Sequence, residues 1–266
     1  MSLVLYHSVE STCAQKVRIV LAAKRLQWEE IRLNLRKGEQ FATHYLKLNP
    51  KAVVPTLVHD GAVVRESSVI NEYLEDSFPS PTLRPAAAAL RAQMRLMVKT
   101  IDDEVHPAIG VLSYAVFLRH QMNESMSAEQ LLEHFRKVAD PARRERQQST
   151  HQKGLGAPAA AASAKVLKRF VEQLSIALDG RSWLVGSEFS LADAAALPYM
   201  VRAQALRLSP LWDTYPGVAV WLERGLEEVS RLPLDDTFGS PSFHVMVAKY
   251  AATDKESMML ILESLE

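Results

Sequence analysis

The spacing of apolar residues changes once along this chain, near residue 79, and the change separates two kinds of structure. Before it, short strand-like runs alternate with helical periodicity. Residues 2–6 are a brief apolar run of strand character, residues 13–25 carry Val17, Val20, Leu21 and Lys24 at helical spacing, and residues 29–33 alternate like a half-buried strand. Residues 41–48 predict a short helix stopped by Asn49-Pro50, because the residue before a proline is pushed out of the helical region. Residues 56–59 and 62–65 flank Asp60-Gly61, a pair that tolerates the positive φ of a two-residue hairpin turn. A further helix starts after Glu66-Ser67-Ser68, with Val69, Ile70, Tyr73 and Leu74 as its apolar pattern. The order is βαβαββα, an α/β domain over residues 1–79 with helices on both sheet faces.

Prolines 79, 81 and 85 make residues 80–87 a turn-rich linker, and strand patterns then vanish. Residues 86–119, 128–139, 164–179, 191–206 and 218–229 repeat at helical spacing, which predicts an all-α domain over 88–232. Residues 140–163 are polar and basic and read as a solvated connector, with a helix-loop as the alternative. Ser190-Leu191-Ala192-Asp193 fits the helix-start pattern in which a hydroxyl and a carboxylate satisfy the first amides. Pro198 predicts a kink or a compensated break in the helix that follows. Residues 233–266 form a C-terminal extension with one helical candidate, 253–265.

Composition narrows the function classes. The 266 residues are 48% hydrophobic and 23% charged, with 31 basic and 31 acidic side chains, so there is no basic footprint for nucleic acid. No leader pattern precedes Leu3 and no run of about 18 apolar residues occurs, so the expectation is a cytoplasmic protein that does not span a membrane. A single cysteine, Cys13, cannot close an internal disulfide, as suits a reducing compartment. No ligand cluster suggests a metal.

The chemistry concentrates around Pro55. Apolar residues continue on both sides of it, so it sits at the entry of a strand, where a missing N–H is tolerated only at an edge unpaired within the chain. If the Val54-Pro55 bond is cis, the turn there presents the backbone of Val54 to a short extended peptide. Ser67 at a helix N-terminus suits a carboxylate, and Glu66 suits an ammonium group. The segment reads as a cleft for a zwitterionic peptide.

Together with Leu5-Tyr6, Ser11-Thr12-Cys13-Ala14-Gln15-Lys16-Val17-Arg18, Lys37-Gly38-Glu39-Gln40, Asn49-Pro50 and Phe189 to Asp193, these motifs resemble the cytosolic glutathione transferase family from Leu3 to about Leu232. The resemblance implies a thioredoxin-like domain, a proline-rich linker, an all-helical domain, and a homodimer. It implies glutathione as co-substrate, with no metal, and a small hydrophobic electrophile as its partner. Val54 and Pro55 would pair with the cysteinyl part of glutathione, Glu66 and Ser67 would hold the γ-glutamyl end, and Gln40 would reach the glycyl carboxylate. Many relatives carry Lys or Gln where this chain has Val53, so Lys51 or Lys37 is the candidate replacement. Ser11 occupies the slot of the reacting residue in serine- and cysteine-type classes, with Cys13 as runner-up. A hydroxyl there donates to the glutathione sulfur and favours thiolate. The electrophile pocket is expected between the domains, with His106, Ile109, Tyr114 and Phe117 as candidates. Residues 63–76 and 139–146 look similar to bacterial transferases related to lignin β-etherases, which displace an aryloxide with glutathione thiolate. Two other readings stand beside the transferase: a non-catalytic scaffold with the same fold, and a thiol-disulfide oxidoreductase using Cys13.

Overall fold

In the computed structural model, which describes residues 2–138 and 140–265, four strands form one mixed sheet in the order β2-β1-β3-β4. Met1, Ala139 and Glu266 lie outside the described residues, so the 139–146 stretch is described from Asp140 onward. Strand β1 (Leu3–His7) pairs in parallel with β2 (Glu29–Arg32) and antiparallel with β3 (Thr56–His59), which turns back into β4 (Ala62–Arg65). Helix α1 (Thr12–Ala23) connects β1 to β2, α2 (Thr43–Leu48) follows a 3-10 turn at Glu39–Phe41, and α3 (Ser67–Ser77) follows β4. This is the expected βαβαββα order. The hairpin closes as its sequence requires, with positive φ at both Asp60 (46°) and Gly61 (88°).

Helix α1 is buried more widely than a single inward face at Val17, Val20, Leu21 and Lys24. Every residue from Ala14 to Ala22 is buried, including Lys16 and Arg18. Partners make this tolerable, since buried charge survives only when it is paired or hydrogen-bonded. Arg18 donates to the backbone carbonyls of Asp235 (2.6 Å) and Asp236 (3.2 Å), and Lys24 Nζ donates to Glu75 Oε1 (2.6 Å) and the Pro81 carbonyl (2.7 Å).

The chain clusters into two compact units. One comprises residues up to Lys99 with Gly180–Pro198 and Val220–Pro241; the other comprises Thr100–Asp179, Tyr199–Ala219 and residues from Ser242 on. An unbroken helical run joins α4 (Ala88–Thr100), α5 (His106–Ser113) and α6 (Arg119–Ser125) through π turns at Ile101–Val105 and Tyr114–Leu118. Pro107 has no N–H to give the carbonyl four residues back, and its ring crowds that carbonyl. Widening the preceding turn accommodates both effects. The next helices are α7 (Ala128–Arg136), α8 (Pro141–Lys153) and α9 (Pro158–Ala177).

Residues 140–163 therefore hold α8, a 3-10 turn at Gly154–Gly156 and the start of α9, closer to the helix-loop alternative than to a solvated connector. Asp140 caps α8 by accepting the Arg143 N–H at 2.8 Å, and Pro141 takes the first helical position. The surface of α8 is so polar that only Thr150 is buried, which leaves no apolar stripe for periodicity to detect. Helix α10 (Leu191–Ala205) continues through Pro198, and α11 (Pro216–Ser230) follows it. The extension holds two helices rather than one, α12 (Pro241–Thr253) and α13 (Lys255–Glu263). No helix among the described residues is long and apolar enough to cross a membrane.

His7 at the end of β1 gives the first unit a pH dependence. It is fully buried, neither ring nitrogen has a hydrogen-bond partner, and Glu30 Oε2 stands 3.5 Å from Nε2. Burial pulls its pKa down to about 4 against the attraction of Glu30, with Arg18 and Arg32 adding to the depression. Above pH 6.5 the ring is neutral both folded and unfolded, and its contribution is complete. As pH falls from 6.5 towards 4 the unfolded chain binds a proton that the fold refuses, so stability drops by about 3 kcal/mol, at 1.36 kcal/mol per unit. Urea midpoints of wild type and His7→Gln should therefore converge as pH falls across this window; parallel curves would refute the assignment.

Candidate active site

Three chain segments of the first unit carry the candidate chemistry: the start of α1, the turn before β3, and the start of α3. Ser11 is the N-cap of α1, with extended backbone (φ −83°, ψ 118°). Its Oγ accepts the Ala14 N–H at 3.3 Å, while its own N–H donates to the Ser8 carbonyl at 3.0 Å. That bond engages the acceptor side of the hydroxyl and leaves its proton for a ligand. The positive end of the α1 dipole faces the same point. Cys13 is half-buried at the second helical position.

The Val54-Pro55 peptide is cis, which meets the condition under which the turn presents Val54. The sheet ladder begins at Thr56, paired with Tyr6 on one side and Arg65 on the other, which leaves Val54 outside it. Helix α2 holds this turn from behind. Tyr45 Oη donates to the Val53 carbonyl (2.6 Å) and lies 3.0 Å from Thr56 Oγ1. Asn49 Nδ2 donates to the same carbonyl (2.9 Å) and to Thr56 Oγ1 (3.1 Å). The bonds are mutually consistent if Thr56 passes its proton to Tyr45 Oη, which passes its own to Val53. Burial pushes the Tyr45 phenol above its usual range and so keeps it a donor. The sequence marks Asn49 as a helix stop and part of a family motif but not as a brace; a Tyr and an Asn four residues apart, both before a Val-Pro turn, are the available signal.

Glu66 departs from ordinary backbone geometry, with φ +65° and ψ 116°. A non-glycine residue held there costs about 1–3 kcal/mol, and such residues collect at ligand clamps. It ends β4 and makes Ser67, which is buried, the first residue of α3. Lys51, the candidate replacement at the glycyl end, has its Nζ 2.7 Å from Glu66 Oε1. With both side chains mostly exposed, this pair contributes roughly 0–1 kcal/mol, so an incoming ammonium competes readily for Glu66. Lys16 Nζ donates to Ser68 Oγ at 2.8 Å and ties the start of α3 to α1. Gln40, in the 3-10 turn before α2, is buried with an Oε1 that has no partner. Half a turn of its amide presents an N–H there instead, the group that a carboxylate needs.

Ser11, Gln40, Val54, Pro55, Glu66 and Ser67 thus share the first unit, whereas the electrophile candidates belong to the second. Ile109 and Phe117 are buried; Phe117 packs edge-to-face on Phe243 at 5.5 Å. Tyr114 is buried with its Oη 3.1 Å from His151 Nδ1 and 3.2 Å from Met122 Sδ, and burial pushes its phenol well above the usual range. His106 is exposed, its Nδ1 3.3 Å from Tyr199 Oη. Phe117, Tyr114 and His106 each meet a partner within that unit.

Two domain models match this chain: the glutathione S-transferase N-terminal domain over residues 10–77 and the glutathione S-transferase C-terminal domain over residues 145–228. Protein LigF of Sphingobium sp. (strain NBRC 103272 / SYK-6) is 29% identical over 232 residues, covering 84% of this chain and 89% of its own. The crystal structure of β-etherase LigF from that strain superposes with a TM-score of 0.76 over 86% of this chain and 99% of its own. Glutathione S-transferase Z1 of Arabidopsis thaliana is 43% identical over 114 residues, 41% of this chain, and the match spans about half (51%) of that relative's length. Maleylacetoacetate isomerase of Dictyostelium discoideum is 33% identical over 128 residues, 47% of this chain and 58% of its own.

Proposed function

Since the chain belongs to the glutathione S-transferase family, we propose that it ionises the glutathione thiol and directs the thiolate at a small apolar electrophile, displacing an aryloxide or a halide. The observation that carries this reading is the state of Ser11, whose oxygen is occupied by the Ala14 N–H and whose proton is available at the N-terminus of α1. A thiolate sulfur accepts that proton as a hydrogen bond, and the helix dipole adds favourable potential. Val54 pairs with the cysteinyl backbone, Glu66 and Ser67 hold the γ-glutamyl end, and Gln40 meets the glycyl carboxylate.

In the reacting step the sulfur forms a bond to the carbon that carries the leaving group, and the carbon–oxygen or carbon–halogen bond breaks with its electron pair on the departing atom. The thiol proton goes to solvent and an aryloxide takes one back. Glutathione is consumed in the conjugate and nothing is oxidised. Similarity to LigF, named a β-etherase, favours aryl ethers among the candidates. The family likeness also supports a homodimer.

Calorimetry with glutathione, followed by product analysis on an aryl ether, an aryl halide and maleylacetoacetate, tests the proposal. Binding at millimolar glutathione and a glutathione conjugate with a released phenol or halide are expected. Absence of binding favours the scaffold reading. Loss of maleylacetoacetate without any conjugate in the panel would replace transfer by isomerisation.

A further inference from the structure

The Val53 carbonyl is held by two side-chain donors from the α2 side. Tyr45 Oη, within α2, donates to it at 2.6 Å, and Nδ2 of Asn49, the C-cap of α2, donates to it at 2.9 Å. Both groups also meet Thr56 Oγ1, at 3.0 and 3.1 Å, so three fully buried polar side chains close a ring on one backbone oxygen. A carbonyl has two lone pairs, and here both are engaged.

The peptide that carries this oxygen also carries the Val54 N–H. It is trans, and a planar trans unit points its C=O and its N–H in opposite directions. Clamping the carbonyl towards α2 therefore aims the Val54 N–H away from α2. That N–H has no acceptor among the described residues, although Val54 is buried and buried amides are almost always paired. Two bonds accepted by the carbonyl also polarise the peptide and strengthen its N–H as a donor. A phenyl ring at position 45 would fill the same space beside Leu33, Val54 and Leu48, so what the Tyr45 hydroxyl adds to packing is direction.

We propose that Tyr45 and Asn49 are positioning residues for the bound peptide: by clamping the Val53 carbonyl they aim the Val54 N–H at the cysteinyl carbonyl of glutathione and strengthen it as a donor. Thr56 acts one bond further out, by donating to Tyr45 Oη. The identity of the peptide rests on the transferase reading; the clamp on the carbonyl does not.

The test compares the full chain with its Tyr45→Phe and Thr56→Val variants. Tyr45→Phe should raise Kd and KM for glutathione roughly 3- to 10-fold, the worth of one hydrogen bond, while kcat at saturating glutathione and the rising limb of the pH–rate profile stay in place. Thr56→Val should move KM the same way by a smaller factor. A glutathione analogue with a methylene in place of the cysteinyl carbonyl should bind wild type and Tyr45→Phe equally, because it offers the Val54 N–H no acceptor. In the ligand-free protein the amide nitrogen resonance of Val54 should move upfield in Tyr45→Phe as the peptide loses polarisation. Equal weakening of both ligands, a fall in kcat with KM unchanged, or an unmoved Val54 resonance would overturn the proposal. Wild type that binds no glutathione at millimolar concentration overturns the transferase reading and this role with it, and the Val54 resonance then decides whether the clamp itself stands.

Discussion

Replacing Ser11 by alanine should slow glutathione conjugation at pH 7 by roughly 10- to 100-fold and carry the rising limb of the pH–rate profile up by about one to two units. A hydrogen bond to a charged acceptor is worth ~1.5–3 kcal/mol, and 1.36 kcal/mol is one pKa unit, so losing the hydroxyl returns the thiol towards its ordinary range. The rate loss follows the thiolate fraction. Above the displaced limb the two enzymes should converge, because the sulfur is then ionised without help. The same substitution removes the N-cap that accepts from Ala14, at about 1 kcal/mol, so a small fall in Tm is expected as well. Only the thiolate role moves the limb; a lost cap alone lowers stability and leaves the profile in place. Cys13→Ala is the comparison. If it abolishes turnover while Ser11→Ala leaves rate and profile intact, the chemistry belongs to Cys13 and the reaction is thiol-disulfide exchange.

The parts of the site that could be read from sequence are those fixed by local backbone chemistry. Asp60-Gly61 announces its turn because both residues take positive φ in the structure, and Ser190-Leu191-Ala192-Asp193 announces a helix start because its bonds close within four residues. The brace of Tyr45, Asn49 and Thr56 does not announce itself, since its bonds join a helix to the entry of a strand and the pattern of each element alone is satisfied without them. Helix α8 escaped for the opposite reason: a helix with one buried residue has no periodicity to find. Ile109, Tyr114 and Phe117 mark a limit of a different kind. An apolar residue at helical spacing says that a side chain is turned away from water, but not whether it meets a ligand or another side chain.

Asp193→Ala should destabilise the fold by about 3–5 kcal/mol, the range for breaking a buried charged network, and lower Tm by roughly 2–4 °C per kcal/mol for a chain of this size. Asp193 is fully buried at the third position of α10. Its Oδ2 accepts the Ser190 N–H (2.9 Å) and Oγ–H (2.8 Å), and its Oδ1 accepts the Leu184 N–H (3.0 Å) and the Trp221 Nε1–H (2.9 Å). One carboxylate thus starts α10, anchors the loop before it and fixes an indole of α11, itself among the largest fully buried side chains. Alanine leaves two backbone amides and the indole N–H without acceptors in a dry interior, at about 1–3 kcal/mol each before any relaxation. Burial raises the carboxyl above its ordinary range while the four donors pull it down, so part of the network's strength is offset by desolvation of the charge. Asparagine sheds that desolvation and keeps one acceptor oxygen, at the cost of an NH₂ turned towards a donor; its loss should fall between wild type and alanine. Denaturant unfolding of the three proteins orders them. A deficit below about 1 kcal/mol for alanine would mean that water or a rearranged loop satisfies the donors. Because Asp193 contributes to none of the segments proposed to bind glutathione, the folded fraction of each variant should keep its KM for glutathione, which separates loss of fold from loss of site.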